Sequence, residues 1–139
     1  MINEIVSGIS VKLSAEFGDS YRIYTETVKQ NLSEPCFFIQ LLDFKMKPLI
    51  NQRYKLESSF CIQYFPESNN MPFSECRSIL ERMNFSLEYI MDNALRGINI
   101  FSEINDSTLL FYVKYNMLIK KEERTRIMKD LQMKLKTKG

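Results

Sequence analysis

Three cysteines (Cys36, Cys61, Cys76) and two carboxylate pairs (Glu122 with Glu123, Glu81 with Glu88) are the residues with which this 139-residue chain could do chemistry. A cysteine nucleophile needs a base beside it, and the chain contains no histidine. That removes Ser-His-Asp and Cys-His activation together with any His-containing zinc site. The cysteines match no metal spacing, and their odd number and wide separation suit reduced thiols better than a disulfide framework. A catalytic carboxylate needs a sheltered position that moves its pKa, whereas these pairs fall on predicted solvent faces. The only glycines are Gly8, Gly18, Gly97 and Gly139, so neither Walker nor Rossmann spacing occurs. The sequence therefore predicts no catalytic residue, no metal and no cofactor.

The elements that carry these residues are those of an ordinary globular chain. With 45% apolar and 26% charged residues it is too hydrophobic for disorder. It holds no run of about 20 apolar residues to span a membrane. Met1-Ile2-Asn3-Glu4 shows no basic region ahead of an apolar stretch, so the product is expected to stay in the cytoplasm. The length fits one domain, expected over residues 1–120, followed by a basic arm over 121–139.

Two runs form the centre: Pro35 to Phe44 and Arg53 to Phe65, joined by a polar Lys45 to Gln52 connection. In the second, Tyr54, Leu56, Phe60, Ile62 and Tyr64 share one parity, while Arg53, Lys55, Glu57, Ser59 and Gln63 share the other, predicting a strand with a dry and a wet face. In the first both parities are apolar, with Phe37, Ile39 and Leu41 opposed to Phe38, Leu42 and Phe44. That predicts a strand covered on both sides. Ahead of them, Ile2, Ile5, Val6, Ile9, Leu13 and Phe17 mark an amphipathic helix ended by Gly18-Asp19. Gly8 inside it, which costs up to about 1 kcal/mol against Ala, suggests close packing. Tyr21 to Val28 reads as a short strand.

After the Pro66 to Pro72 loop, Ser74 is the expected N-cap of a helix running to about Asn93, with the stripe Cys76, Ile79, Leu80, Met83, Leu87, Ile90 and Met91. Leu95 to Ile104 and Thr108 to Lys120 read as a hairpin around Asn105-Asp106-Ser107. Leu109, Phe111, Val113, Tyr115, Met117 and Ile119 share one face of its second arm. The fold class is thus α+β: a mostly antiparallel sheet of four to five strands, two helices packed on one face, and a C-terminal helical or extended arm.

Features with no place in a core mark candidate contacts. Met46, Lys47, Leu49 and Ile50 make the connection more apolar than an idle loop. Leu110, Tyr112 and Leu118 interrupt the polar side of the last strand, where a second protein could meet them. From Lys120 onward eight basic residues, Lys121, Arg124 and Arg126 among them, face three acidic ones, a net charge of +5 against about −3 for the preceding 119 residues. Ile127, Met128, Leu131 and Leu135 form a narrow helical stripe within that segment. A helix of this length is marginal alone in water, so it needs something to lie on. Three readings remain for it: a solvated or partner-docked helix, an arm meeting an acidic protein, or a phosphate contact.

The segments Ile2-Asn3-Glu4-Ile5, Glu34-Pro35-Cys36-Phe37-Phe38-Ile39, Arg53-Tyr54 and Phe60-Cys61-Ile62-Gln63-Tyr64-Phe65-Pro66 resemble the tail terminator, or tail completion, family of bacteriophages with contractile tails and of phage-like particles. The likeness covers residues 1 to about 120. It implies a structural protein that forms a ring, expected to be hexameric, on the last ring of the tail tube at the head-proximal end of the virion tail. It would stop tube polymerisation, anchor the sheath and offer the head-joining surface after assembly in the host cytoplasm. Implied partners are further copies of the chain, tube protein, sheath protein and head-tail connector proteins, with DNA only in passage and no membrane. The alternatives are a head-completion or connector protein binding portal and DNA, and a small nucleic-acid-binding regulator using the basic tail.

Overall fold

The computed structural model describes residues 1–26, 33–67 and 70–120. Helix α1 spans Ile2–Phe17, and its stripe of Ile5, Ile9, Leu13 and Phe17 is buried as the periodicity predicts. Glu4 lies at the positive end of the helix beside the terminal ammonium of Met1. Gly18, at φ 84°, closes the other end and donates its N–H to the Ser14 carbonyl.

Strands follow as β1 (Arg22–Tyr24), β2 (Cys36–Pro48) and β3 (Arg53–Phe65). Helix α2 (Pro72–Ser86), β4 (Tyr89–Ile90), β5 (Leu95–Asn105) and β6 (Thr108–Lys120) complete the order. They build one six-stranded sheet ordered β1-β2-β3-β6-β5-β4. The β1–β2 pair is parallel and the others are antiparallel. The sheet is thus mixed but mostly antiparallel, as expected, with six strands where four to five were expected. The strand not foreseen is β4, which spans two residues, too few for periodicity to register. Of the predicted Tyr21 to Val28 strand, Arg22–Tyr24 is realised, and residues 27–28 lie outside the described residues.

One face of the sheet and both helices share a single core. Phe37 and Ile39 of β2, Phe60, Ile62 and Tyr64 of β3, and Leu109, Phe111, Val113 and Tyr115 of β6 meet the α1 stripe and Cys76, Ile79 and Met83 of α2. Register makes this possible: Ile39, Ile62 and Phe111 lie in one cross-strand row, and Phe37, Tyr64 and Leu109 in the next. Two hydroxyls inside find backbone partners. The Tyr115 hydroxyl donates to the Leu87 carbonyl at 2.6 Å, and Ser58 Oγ donates to the Tyr115 carbonyl at 3.0 Å. The helices are clamped where Arg82 binds the Glu16 carboxylate at 2.9 Å and covers the Phe17 ring at 4.3 Å. Gly8 is indeed a close approach, since a Cβ there would stand 2.6 Å from Met91 Cγ.

Two bulges at the same level of the sheet, between Leu41 and Asp43 in β2 and between Ile98 and Phe101 in β5, curl it. The first reverses an expectation. Beyond it Phe44 pairs with Ser58 and Met46 with Leu56, so both join the helix-side face instead of continuing the Phe38 parity. Coverage of β2 on both sides also fails: Cys36, Phe37 and Ile39 are buried, but Gln40–Pro48 are exposed throughout, because the helices end short of them. The predicted Lys45 to Gln52 connection shrinks accordingly. Residues 45–48 extend β2 and pair as far as Pro48 with Tyr54, leaving a tight turn with Asn51 and Gln52 at φ 64° and 58°.

Helix α2 differs at both ends. Pro72, whose missing N–H costs nothing in the first turn, starts it ahead of Ser74. It stops at Ser86 instead of Asn93, because Tyr89 and Ile90 pair with Arg96 and Leu95, and Met91, Asp92 and Asn93 all adopt positive φ. Leu87, Ile90 and Met91 are still buried, so the apolar stripe was real although the helix beneath it was not. The β5–β6 hairpin forms as predicted, with Asp106 and Ser107 at φ 50° and 63° matching the twist of the flanking strands.

Candidate functional site

The surface residues singled out by sequence separate into two groups. Met46, Lys47, Leu49 and Ile50 occupy the tip of the β2–β3 hairpin, and Ile50 is 83% exposed. Pairing of Lys55 with Leu118 and of Arg53 with Lys120 brings the end of β6 to the same tip, so these six candidates gather at one end of the sheet, with Met46 on its helix side and Lys47, Leu118 and Lys120 on the other. Leu110 and Tyr112 stand elsewhere, in the middle of the face turned away from the helices, opposite Gln63 and Cys61. Lys121, Arg124, Arg126, Ile127, Leu131 and Leu135 lie outside the described residues.

At the hairpin tip the helix-side face runs on past the helices and stays apolar. Phe44 and Met46 of β2, Leu56 of β3 and Ile119 of β6 line a cleft of about 550 Å³, bounded by Met1, Ile2 and Asn3 at the start of α1. Phe44 was missed as a surface residue because alternation had assigned it the other face; only the bulge at Leu42 returns it. On the opposite face Phe101 of β5 stacks on Tyr112, ring centres 4.6 Å apart. These rings adjoin a smaller groove that also holds Leu42, Asp43 and Lys114. Phe101 was overlooked too, although an aromatic across from a Tyr on the outer parity of a hairpin is a readable sign. On α2, Phe85 is 84% exposed.

The face predicted to be wet is partly dry. Cys61 and Glu57 of β3 are buried there, since a central strand is flanked by long side chains on both sides. Burial alone would raise the Glu57 carboxyl, but Lys47 at 3.5 Å and Lys55 at 3.4 Å outweigh it and hold the pKa below its ordinary value. This is an ion-pair cluster joining β2 to β3. Burial, reinforced by the Glu34 charge, pushes the Cys36 thiol up to about 11, and burial also raises Cys61 and Cys76. None is a poised nucleophile. Tyr64 donates to the Glu75 carboxylate at 2.5 Å, which also accepts the Glu67 N–H at 2.8 Å. That contact ties the start of α2 to β3 and closes the loop between them.

Among the described residues no His, Cys, Asp or Glu cluster could hold a metal ion, and no helix is long and apolar enough to cross a membrane. The surface offers apolar and basic contact area on a rigid sheet, which suits binding to other proteins. A search of curated proteins returned no match. The family profile described as phage tail terminator protein matches residues 4–127. That match takes in both helices, the sheet and the hairpin tip, and a chain so largely accounted for belongs to the phage tail terminator family, a family of tail structural proteins.

Proposed function

We propose that this protein caps the tail tube as a ring, ends polymerisation of tube and sheath, and presents the surface to which the head is joined. The role is one of shape and contact, with no reaction catalysed. One observation carries the ring. Among the described residues, β1 covers only Cys36–Phe38 of β2 and β4 covers only Leu95–Arg96 of β5, leaving most of both strands as open sheet edges. In the β2-β3-β6-β5 meander each strand runs opposite to its neighbour. The β5 edge of one copy set against the β2 edge of the next therefore continues the antiparallel alternation, a head-to-tail contact that closes on itself around an axis. Open edges of this length demand a partner.

The hairpin tip, with Met46, Lys47, Leu49, Ile50, Leu118 and Lys120, is the surface proposed to meet tube or sheath. Residues 121–139, taken as an arm beyond the 1–120 domain, add basic contacts on the outside, because a strongly basic bore would retain passing DNA. Electron microscopy of particles assembled with and without this chain tests the reading. Loss of a terminator gives tubes of uncontrolled length. Tails of normal length that fail to join heads would instead identify a connector.

A further inference from the structure

The apolar cleft at the hairpin tip lies where the described chain ends. Ile119, which lines it, precedes the last β6 residue, Lys120. Nineteen residues follow, and their only apolar stripe at helical spacing is Ile127, Met128, Leu131 and Leu135. We propose that in the free chain residues 121–139 lie in this cleft of their own subunit, with that stripe against Phe44, Met46, Leu56 and Ile119.

Three observations favour this occupant. The cleft wall continues the core face beyond the start of α1: Leu56 and Ile119 at its floor are buried, while Met46 is 55% and Phe44 37% exposed, so a third amphipathic segment would extend the helical layer over that open β2 side. The segment, marginal as a helix by itself, gains there the apolar surface it needs. Tethering decides between the chain's own segment and that of a second copy. Six residues lie between Lys120 and Ile127, and a short tether gives an effective concentration on the order of mM, well above that of a dilute chain. Docked by its stripe, the segment keeps Arg126, Lys129 and Lys136 on the outward side, free for the contacts proposed above.

The test uses the full-length chain alone, so its failure leaves the tail role untouched. Cys36, Cys61 and Cys76 are buried, and a nitroxide can be placed selectively at Lys129→Cys, opposite the stripe. The spin-labelled, isotope-labelled chain is diluted into excess unlabelled wild-type chain. The methyl signals of Met46, Leu56 and Ile119 should be lost and return on reduction of the nitroxide. The same label in a Leu131→Asp/Leu135→Asp background should leave them intact. Unchanged signals in the first sample would overturn the proposal. So would loss seen only when nitroxide and isotopes sit on different chains, which would give the cleft to a second copy.

Discussion

Gly8→Ala should destabilise the protein although it improves the helix. Alanine is favoured over glycine in a helix interior by about 1 kcal/mol. Here the new Cβ would lie 2.6 Å from Met91 Cγ and 3.5 Å from its sulfur, while carbon atoms pack at about 3.5–4.0 Å. Met91 must retreat by roughly 1 Å, yet it is buried, at φ 57°, and its carbonyl accepts the Ala94 N–H at 3.0 Å. Overpacking of this kind costs about 1–3 kcal/mol, so the net loss should be about 1 kcal/mol. Met91→Ala removes the obstruction, and in that background Gly8→Ala should stabilise by up to about 1 kcal/mol. The coupling between the two sites is then about 2 kcal/mol, readable from urea unfolding of the four chains in a double-mutant cycle. Equal effects of Gly8→Ala in both backgrounds, within about 0.5 kcal/mol, would refute the steric account.

Three further outcomes follow from the described contacts. Tyr64→Phe keeps the ring in the core but loses the bond to Glu75, and should cost about 1.5–3 kcal/mol, seen as a lower urea midpoint at unchanged m-value. Glu57 has a lowered folded pKa, so its stabilising contribution is complete above the ordinary carboxyl value near 4.5 and disappears as pH falls through the folded value. Between pH 6 and 3 the wild type should therefore lose stability more steeply than Glu57→Gln, and parallel curves would remove Lys47 and Lys55 as the cause. With Cys36 raised to about 11 and all three thiols buried, a thiol reagent at pH 8 should react with the native chain far more slowly than with the chain in denaturant. A rapid native phase would contradict the burial.

Much of the fold could be read directly. The bounds of α1, the start and end of β3, the alternation of β6 and the Asp106-Ser107 turn all follow from local periodicity and turn chemistry, which act over a few residues. The absence of histidine and of glycine-rich loops likewise bounded the chemistry before any coordinates. Stripes were sound even where their elements were misjudged: Leu87, Ile90 and Met91 are buried, but by a turn and a short strand. Burial preference depends on the side chain, while the backbone beneath it was decided by pairing with Leu95 and Arg96 across a left-handed turn.

What tertiary structure alone decided is which side of the sheet the exposed residues occupy. One extra residue at Leu42 reverses the parity of everything after it, and no local signal distinguishes a bulged strand from a regular one. That reversal puts Phe44 and Met46 beside Ile119, from a strand more than 70 residues away in sequence, and so creates the cleft. The amino-acid order determined which side chains seek cover. Only strand register and the reach of the two helices, both products of long-range pairing, determined which of them find it.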